Sequence, residues 1–266
     1  MAMLLALVLT GIRFGFPLLG QYPDKLADYL SRQVGVPIHI DSLTTRWRGP
    51  FPYVELSGIE ALAIADTGPE ARFRFESISA ELNPWESFLT GAPIFQTVDA
   101  RGLFVRWYQR DGKWLHPPGD NSQSEPLDLG ALAVLAKLLL VQPEFRVLDS
   151  QLELVPEYGP IRLINLSELL LENTAEQHQL SGAFRMPLLG NDTQLGFVAQ
   201  LEGEVERPSS LGVPFYFKLQ QLGTELFDLA ELELPLSDLD ANAEVWGKLS
   251  QQGLEYLRGS ASIERA

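Results

Sequence analysis

The sequence predicts a mainly β protein with a few helices. Its main feature is a long, strongly curved antiparallel sheet that forms an open apolar groove, preceded by an N-terminal membrane-anchor helix. Apolar residues recur at every second position over much of the chain, which is the period of a strand with one buried face. The phase of this alternation slips repeatedly at small or polar pairs. The 22 glycines and 18 prolines lie between short segments, as the turns of a β-rich protein do.

Length, composition and charge exclude several classes of protein. The 266 residues suffice for one large domain or two ordinary ones, and a hydrophobic content of 45% excludes a mainly disordered chain. A net charge of −15 argues against nucleic acid as a partner, because nucleic-acid-binding proteins present a basic face. The absence of cysteine excludes disulfides and thiolate metal sites.

The first 21 residues predict a membrane anchor. The run MAMLLALVLTGI is apolar, Arg13 interrupts it, and FGFPLLG follows. A cleaved signal peptide would begin with basic residues and end at a small-residue cleavage site, and neither is present. We therefore expect residues 1–21 to be the outer part of an uncleaved anchor whose beginning is missing, with Arg13 reaching towards the interface. The alternative is a buried N-terminal helix.

Residues 22–118 predict a first curved unit of strands and helices. YPDKLADYLSRQVGVP should form a helix that begins near Pro23, with Leu26 and Leu30 on its apolar face. NPWESFLTG predicts a short helix with Asn83 as its N-cap and Gly91 at its end.

Residues 119–266 predict a continuation of the β-groove. A Leu-rich segment, residues 127–141, is apolar on nearly all sides and predicts a buried helix, which Pro143 follows. Strands should follow, and an alternation runs to the last residues in LEYLRGSASIERA. Because an edge strand without a partner is unfavourable, we expect the chain to be cut off from something longer.

The phase of the apolar alternation slips at four pairs of residues: Asp41–Ser42, Ser57–Gly58, Arg101–Gly102 and Asp149–Ser150. A β-bulge at each pair would keep one face of a long, curved strand apolar. Alternatively, each pair is a hairpin turn between two separate strands. Both interpretations give a meandering antiparallel sheet.

The sequence shows no catalytic signature, so we expect no enzyme, no cofactor and no metal. There is no G-x-S-x-G, no H-E-x-x-H, no Gly-rich phosphate loop and no spaced Asp/Asn calcium loop. His39, His116 and His178 are far apart, whereas metal sites use clustered ligands. The pattern instead favours a surface that binds apolar material. The residues predicted to line its groove are Ile40, Leu43, Leu56, Ile78, Leu82, Leu103, Val105, Leu152 and Leu154.

The order of these elements resembles a known family. An anchor precedes the stretch YPDKLADYLSRQVGVPIHIDSLTTRWRGPFPYVELSGIEAL, and NPWESFLTGAPIFQTVDARGLFVRWYQRDGKW, a polar loop and FRVLDSQLELV follow. This order resembles the N-terminal region of the AsmA-like proteins of Gram-negative envelopes, most closely the YhdP type. The resemblance implies a single anchor in the inner membrane and a periplasmic β-groove similar to that of bridge-like lipid transfer proteins, with phospholipid as cargo. It carries no catalytic residues.

Three functions remain in competition at this point. The first is phospholipid transport between the inner and outer membranes, with this chain as the membrane-proximal segment of the groove. The second is an envelope assembly scaffold, as for AsmA-like relatives linked to outer-membrane biogenesis, whose exposed edge binds other envelope proteins. The third, an enzyme acting on lipid or glycan, needs a polar cluster that the sequence does not offer.

Overall fold

The chain is mainly β with a few helices, as predicted. The computed structural model describes residues 13–34, 37–62, 72–91, 93–110, 113–115, 139–174, 177–187, 193–202, 212–223, 240–250 and 253–265. The chain divides into two compact units, here called unit 1 and unit 2. Unit 1 ends at Arg146 and unit 2 begins at Val147.

Unit 1 is an antiparallel meander. In its described residues, two helices precede the first strand, and a third lies between β3 and β4. Strands β1 to β4 lie in sequence order, and β5 pairs with β3 and β6. Gly49 and Pro50 form the tight turn between β1 and β2. The elements are a 3-10 helix (Phe16–Gln21), α1 (Pro23–Val34), β1 (Ile38–Arg48), β2 (Phe51–Leu62), β3 (Arg72–Leu82), α2 (Pro84–Thr90), β4 (Phe95–Arg101), β5 (Phe104–Arg110) and β6 (Lys113–Leu115).

Three of the phase slips lie within single strands, and the fourth, Arg101–Gly102, lies between two strands that continue one another along β3, so the hairpin interpretation is wrong. β1 and β2 run through their slips with one register, because Ile40 pairs with Ile59 before the slip and Ser42 with Ser57 after it. β4 and β5 continue one another along β3, on either side of Gly102 and Leu103. The irregularities of adjacent strands lie opposite each other, which is why no register shift accompanies them.

Glycine with a left-handed backbone makes these paired irregularities possible. Gly58 has φ +62°, and the side chain of Asp41 on β1 fills the space where a Cβ would be. Gly102 also has φ +62°, and there Glu76 of β3 fills the space. Such φ values are costly for residues with a Cβ, which explains glycine at positions 58 and 102. The acidic side chain on the neighbouring strand occupies the space left by each missing Cβ, so the row reads Asp41–Gly58–Glu76–Gly102.

The irregularities keep one face of unit 1 apolar on both sides of the row. Ile40 and Ile59 lie before it, Leu56 and Ile78 after it, and all four pack in one cluster with Phe75. The opposite face carries ion pairs, including Arg74 Nε to Glu60 Oε1 at 3.5 Å and Arg46 to Glu55 at 3.6 Å. The amphipathic sheet is therefore continuous across the slips, although the registers of β1, β2 and β3 show no shift of the kind that a single inserted residue would give.

The 3-10 helix and α1 pack on the apolar face of unit 1. Ala27 of α1 is buried against Ile40 and Ile59, with Leu26 and Leu30 beside it. Thr45 of β1 donates hydrogen bonds to the carbonyl oxygens of Phe16 and Pro17 at 3.1 Å. Ile40 is only 3% exposed. The apolar face is thus closed by helices at β1 and β2.

The predicted anchor helix of residues 1–21 is not supported by the described residues. Residues 1–12 lie outside the described residues. Phe16–Gln21 is a 3-10 helix that packs on β1, where Gly20 approaches the Leu43 carbonyl so closely that a Cβ would be 3.0 Å from it. Residues 13–15 are also helical and lead directly into this 3-10 helix, in which Pro17 occupies the first turn. Among the described residues, no helix combines the length and hydropathy needed to cross a bilayer.

The two predicted helices of residues 22–118 are confirmed. α1 begins at Pro23, and α2 begins at Pro84 with the Asn83 side chain accepting hydrogen bonds from the Trp85 and Glu86 amides. Gly91 ends α2 with φ +70°. Of the predicted Leu-rich helix 127–141, residues 127–138 lie outside the described residues and residues 139–141 are helical.

Unit 2 is a second meander, from β7 to β13 in sequence order. The pairs from β8 to β13 are antiparallel. Apart from a single 3-10 residue, Pro187, the described residues of this unit contain no helix. Its strands are β7 (Glu144–Val155, which enters the unit at Val147), β8 (Arg162–Asn173), β9 (His178–Arg185), β10 (Gln194–Leu201), β11 (Gly212–Leu222), β12 (Asp240–Ser250) and β13 (Gly253–Arg265).

Candidate functional site

One face of strands β8 to β12 in unit 2 carries an extended, partly buried apolar surface. Phe197 at its centre pairs with Gly182 on β9 and Phe217 on β11, so their side chains share a face. The same register places further apolar residues beside them. This surface, here called the unit 2 apolar face, comprises Leu166, Leu169, Leu171, Leu180, Phe184, Leu195, Phe197, Phe215, Phe217, Leu219 and Val245.

A β-bulge keeps β8 in phase with this face. Leu166 pairs with Phe184 and Leu169 pairs with Gly182, with a register shift between Leu166 and Glu168. Leu166 and Leu169 are separated by an odd number of positions, so a regular strand would place them on opposite faces. The extra residue brings both to the apolar face. Unit 2 thus reaches by a register shift what unit 1 reaches by paired irregularities.

Four phenylalanine rings form a ladder across three strands. The ring centroids of Phe184 and Phe197 are 5.7 Å apart, those of Phe197 and Phe217 5.9 Å, and those of Phe215 and Phe217 5.3 Å. The ring of Phe197 covers Gly182, where a Cβ would be 2.5 Å from Phe197 Cε1. Contacts at these separations are favourable between aromatic rings, so the four rings form a continuous apolar surface.

The opposite face of unit 2, here called the polar face, carries charged residues such as Glu168, Lys218 and Lys248 beside the cross-strand row Leu170, Val198, Tyr216 and Trp246. Lys248 donates a hydrogen bond from Nζ to Glu202 Oε2 at 3.1 Å, and this bond and the carboxylate charge raise the pKa of Lys248. Burial raises the pKa of Tyr216, and a hydrogen bond to Glu244 raises it further. Neighbours in the chain, such as Tyr216 and Phe217, therefore face different environments.

The unit 2 apolar face offers apolar contact and little else. Its members are partly buried, so solvent reaches part of each side chain. Carbon and aromatic surface of this kind binds acyl chains or other apolar groups and cannot transfer protons. No cluster of three or more metal-ligating side chains occurs in the described part of the chain.

The predicted groove residues fall into separate groups. Ile40, Leu56 and Ile78 lie in the cluster beneath α1. Leu43 pairs with Leu56, and Val105 pairs with Phe73, so both share the apolar face of unit 1. Four others are partly buried: Leu82 at the end of β3, Leu103 beside Gly102, and the β7 residues Leu152 and Leu154, which lie two positions apart and share a face.

Sequence reasoning missed the members of the phenylalanine ladder as site residues. A signal is present in the sequence, because Leu195 and Phe197 alternate in TQLGFVAQL, and Phe215, Phe217 and Leu219 alternate in VPFYFKLQQL. Their joint surface depends on the register between β9, β10 and β11, which is a non-local property.

A family model described as YhdP protein matches residues 1–265. The chain belongs to the YhdP family. This match covers nearly the whole sequence, confirms the resemblance seen in the order of the elements, and assigns the chain to an AsmA-like envelope family. No curated protein and no solved structure matched the chain.

Proposed function

We propose that the chain carries phospholipid between the inner and outer membranes, as the membrane-proximal segment of an apolar β-groove. The observation that supports this proposal best is the unit 2 apolar face. It combines a phenylalanine ladder, partial exposure and the absence of a covering helix among the described residues of that unit. Membership of the YhdP family supports the envelope location.

The physical basis of the proposal is the cost of exposing acyl chains to water. Each methylene group that leaves an apolar environment costs about 0.8 kcal/mol, so a lipid with two long chains cannot cross an aqueous space unaided. A strand face of leucine and phenylalanine removes this cost without fixed polar contacts. The headgroup stays in water, so no residue needs a catalytic role.

Unit 1 has a different part in this proposal. Its apolar face is closed by α1 and the 3-10 helix at β1 and β2, where Ile40 and Ile59 are buried. Those residues stabilise unit 1 and contact no lipid. We expect lipid contact at the residues of unit 2 instead, with unit 1 next to the inner membrane.

Native mass spectrometry with lipid extraction tests the proposal on the purified chain. Phe197→Asp places a charge on the apolar face, and Val198→Asp places the same charge one residue along on the polar face, where Val198 is 39% exposed. We expect co-purified phospholipid in the wild type and in Val198→Asp, and its loss in Phe197→Asp. Phe197→Ala, checked by circular dichroism, gives a milder version of the change.

A folded wild-type chain that carries no lipid would contradict the proposal. The scaffold function would then account better for the exposed residues of β13, whose neighbour in the described sheet is β12. Equal loss of lipid in Phe197→Asp and Val198→Asp would also contradict it, because the faces would then not differ.

A further inference from the structure

α2 presents three large apolar side chains to solvent. Trp85 is 71% exposed, Phe88 81% and Leu89 67%. Their spacing of three and four positions places them on one side of the helix. Exposed apolar side chains grouped in this way mark interaction sites, whereas single ones are ordinary.

Hydrogen bonds at both ends of α2 hold the helix that carries this patch. The Asn83 side chain accepts hydrogen bonds from the amides of Trp85 and Glu86 at 3.2 Å, and the Gly91 amide donates to the Ser87 carbonyl at 3.0 Å. Ser87 Oγ accepts from the Ile94 amide at 2.9 Å, and Ile94 is buried. A seven-residue helix is unstable alone, so these bonds are what keep the three side chains in place.

The patch lies at the end of unit 1 where the chain enters the fold. Tyr53 of β2 pairs with Arg46 of β1 and with Glu81 of β3, so β1 and β3 finish at the same end of the sheet. Because α2 follows β3 directly, this end is here called the α2 end. There Trp47 Nε1 donates a hydrogen bond to the Arg13 carbonyl at 2.9 Å. The residues before Arg13, 2–12, contain no charged side chain.

Basic and aromatic side chains lie close together at the α2 end. The Arg48 guanidinium lies 3.6 Å from the ring centroid of Tyr53 and that of Arg46 4.7 Å, while Arg13 lies 6.0 Å from Trp47. These arginines stand out in a chain of net charge −15. Arginine, tryptophan and tyrosine are the residues that favour the boundary between headgroups and acyl chains.

We propose that the α2 end of unit 1 docks on a lipid bilayer, with Trp85, Phe88 and Leu89 inserted at the headgroup boundary and Arg13 and Arg48 facing anionic headgroups. The inference rests on the proposed placement of the chain at the inner membrane, and it does not need lipid transport. It gives α2 a function that packing within unit 1 does not.

The cysteine-free sequence allows a direct test on the full chain. Phe88→Cys and Tyr158→Cys are each labelled with the environment-sensitive fluorophore NBD and reconstituted with phosphatidylethanolamine/phosphatidylglycerol vesicles. Tyr158, in unit 2, is 85% exposed and serves as the matched control. We expect the label at position 88 to shift its emission to the blue and to lose most of its fluorescence when doxyl-labelled lipids are included. The label at position 158 should do neither.

Two results would overturn the docking proposal. One is a label at position 88 that doxyl lipids do not quench. The other is a blue shift that occurs equally without vesicles, which would indicate contact with a second copy or another protein segment. Neither result depends on lipid capture by Phe197 and its neighbours, so failure of docking and failure of transport are distinguishable. A wild-type fold by circular dichroism is required of both variants, and Leu89→Cys replaces Phe88→Cys if that variant fails to fold.

Discussion

Replacing Gly58 by alanine should test the paired irregularity that keeps the apolar face of unit 1 continuous. Gly58 has φ +62°, which costs a residue with a Cβ about 1–2 kcal/mol. The new Cβ would also overlap the Asp41 carboxylate and lie 2.8 Å from Asp41 Cβ, and overpacking of this kind costs roughly 1–3 kcal/mol. We expect Gly58→Ala to lower the free energy of unfolding by about 2–5 kcal/mol, the sum of these two terms.

Gly49 provides the matched control, because it has φ +61° and no atom within 4 Å of a Cβ. Gly49→Ala should therefore cost only the backbone term, about 1–2 kcal/mol. Any gain from a stiffer unfolded chain is common to both variants and cancels in the comparison. Urea unfolding, followed by tryptophan fluorescence and circular dichroism, measures both.

The comparison also has a rescue. Asp41→Gly removes the side chain that fills the space beside Gly58, so Gly58→Ala made in that background should cost no more than Gly49→Ala. Equal costs for Gly58→Ala and Gly49→Ala in the wild-type background would refute the reasoning, because the contact between Asp41 and Gly58 would then have no energetic consequence.

Three further predictions concern single sites. Gly182→Ala should displace the Phe197 ring, lower the free energy of unfolding by roughly 1–3 kcal/mol and reduce lipid retention. Phe197→Leu in the same chain should restore the stability if the ring is the obstacle. Asn83→Ala should lower the free energy of unfolding by about 1 kcal/mol in urea, since two amides of α2 lose their acceptor; no change would mean that the cap is not formed. Because Glu202 raises the pKa of Lys248 above 10.5, their pairing stabilises the fold at neutral pH and is lost as pH rises through that raised pKa. Lys248→Met should therefore weaken the alkaline loss of stability, and an unchanged pH profile would contradict the pairing.

Local signals in the sequence were sufficient for the strands and short helices of unit 1. Asn83, Pro84 and Gly91 mark α2 because each satisfies a requirement of a helix end, and the structure places all three as expected. The phase slips were also visible, but their interpretation was not. In the sequence, a phase slip looks the same whether the chain turns or the strand continues. Only the pairing register with the neighbouring strand distinguishes the two cases.

The candidate site was harder to predict because it depends on tertiary contacts: which side chains share a face of the sheet, and which helix packs on that face. Alternation shows that Ile40 and Leu56 are on an apolar face, but not that α1 packs on that face. Phe184, Phe197 and Phe217 lie on three different strands, and nothing local to any one of them indicates that their rings meet. The packing of residues 16–21 on β1 was missed for a related reason, since the contact of Gly20 with β1 is not visible in hydropathy.

Photo-crosslinking in cells tests the central claim most directly. The photo-reactive amino acid benzoylphenylalanine replaces either Phe217, on the unit 2 apolar face, or its neighbour Tyr216, on the polar face. The two probes share a strand and differ only in the face to which they point. We predict that irradiation attaches phospholipid at position 217 and none at position 216. Lipid attachment at both positions alike, or at position 216 alone, would contradict an acyl-chain-binding face, and so would a folded, expressed variant at position 217 that captures no lipid.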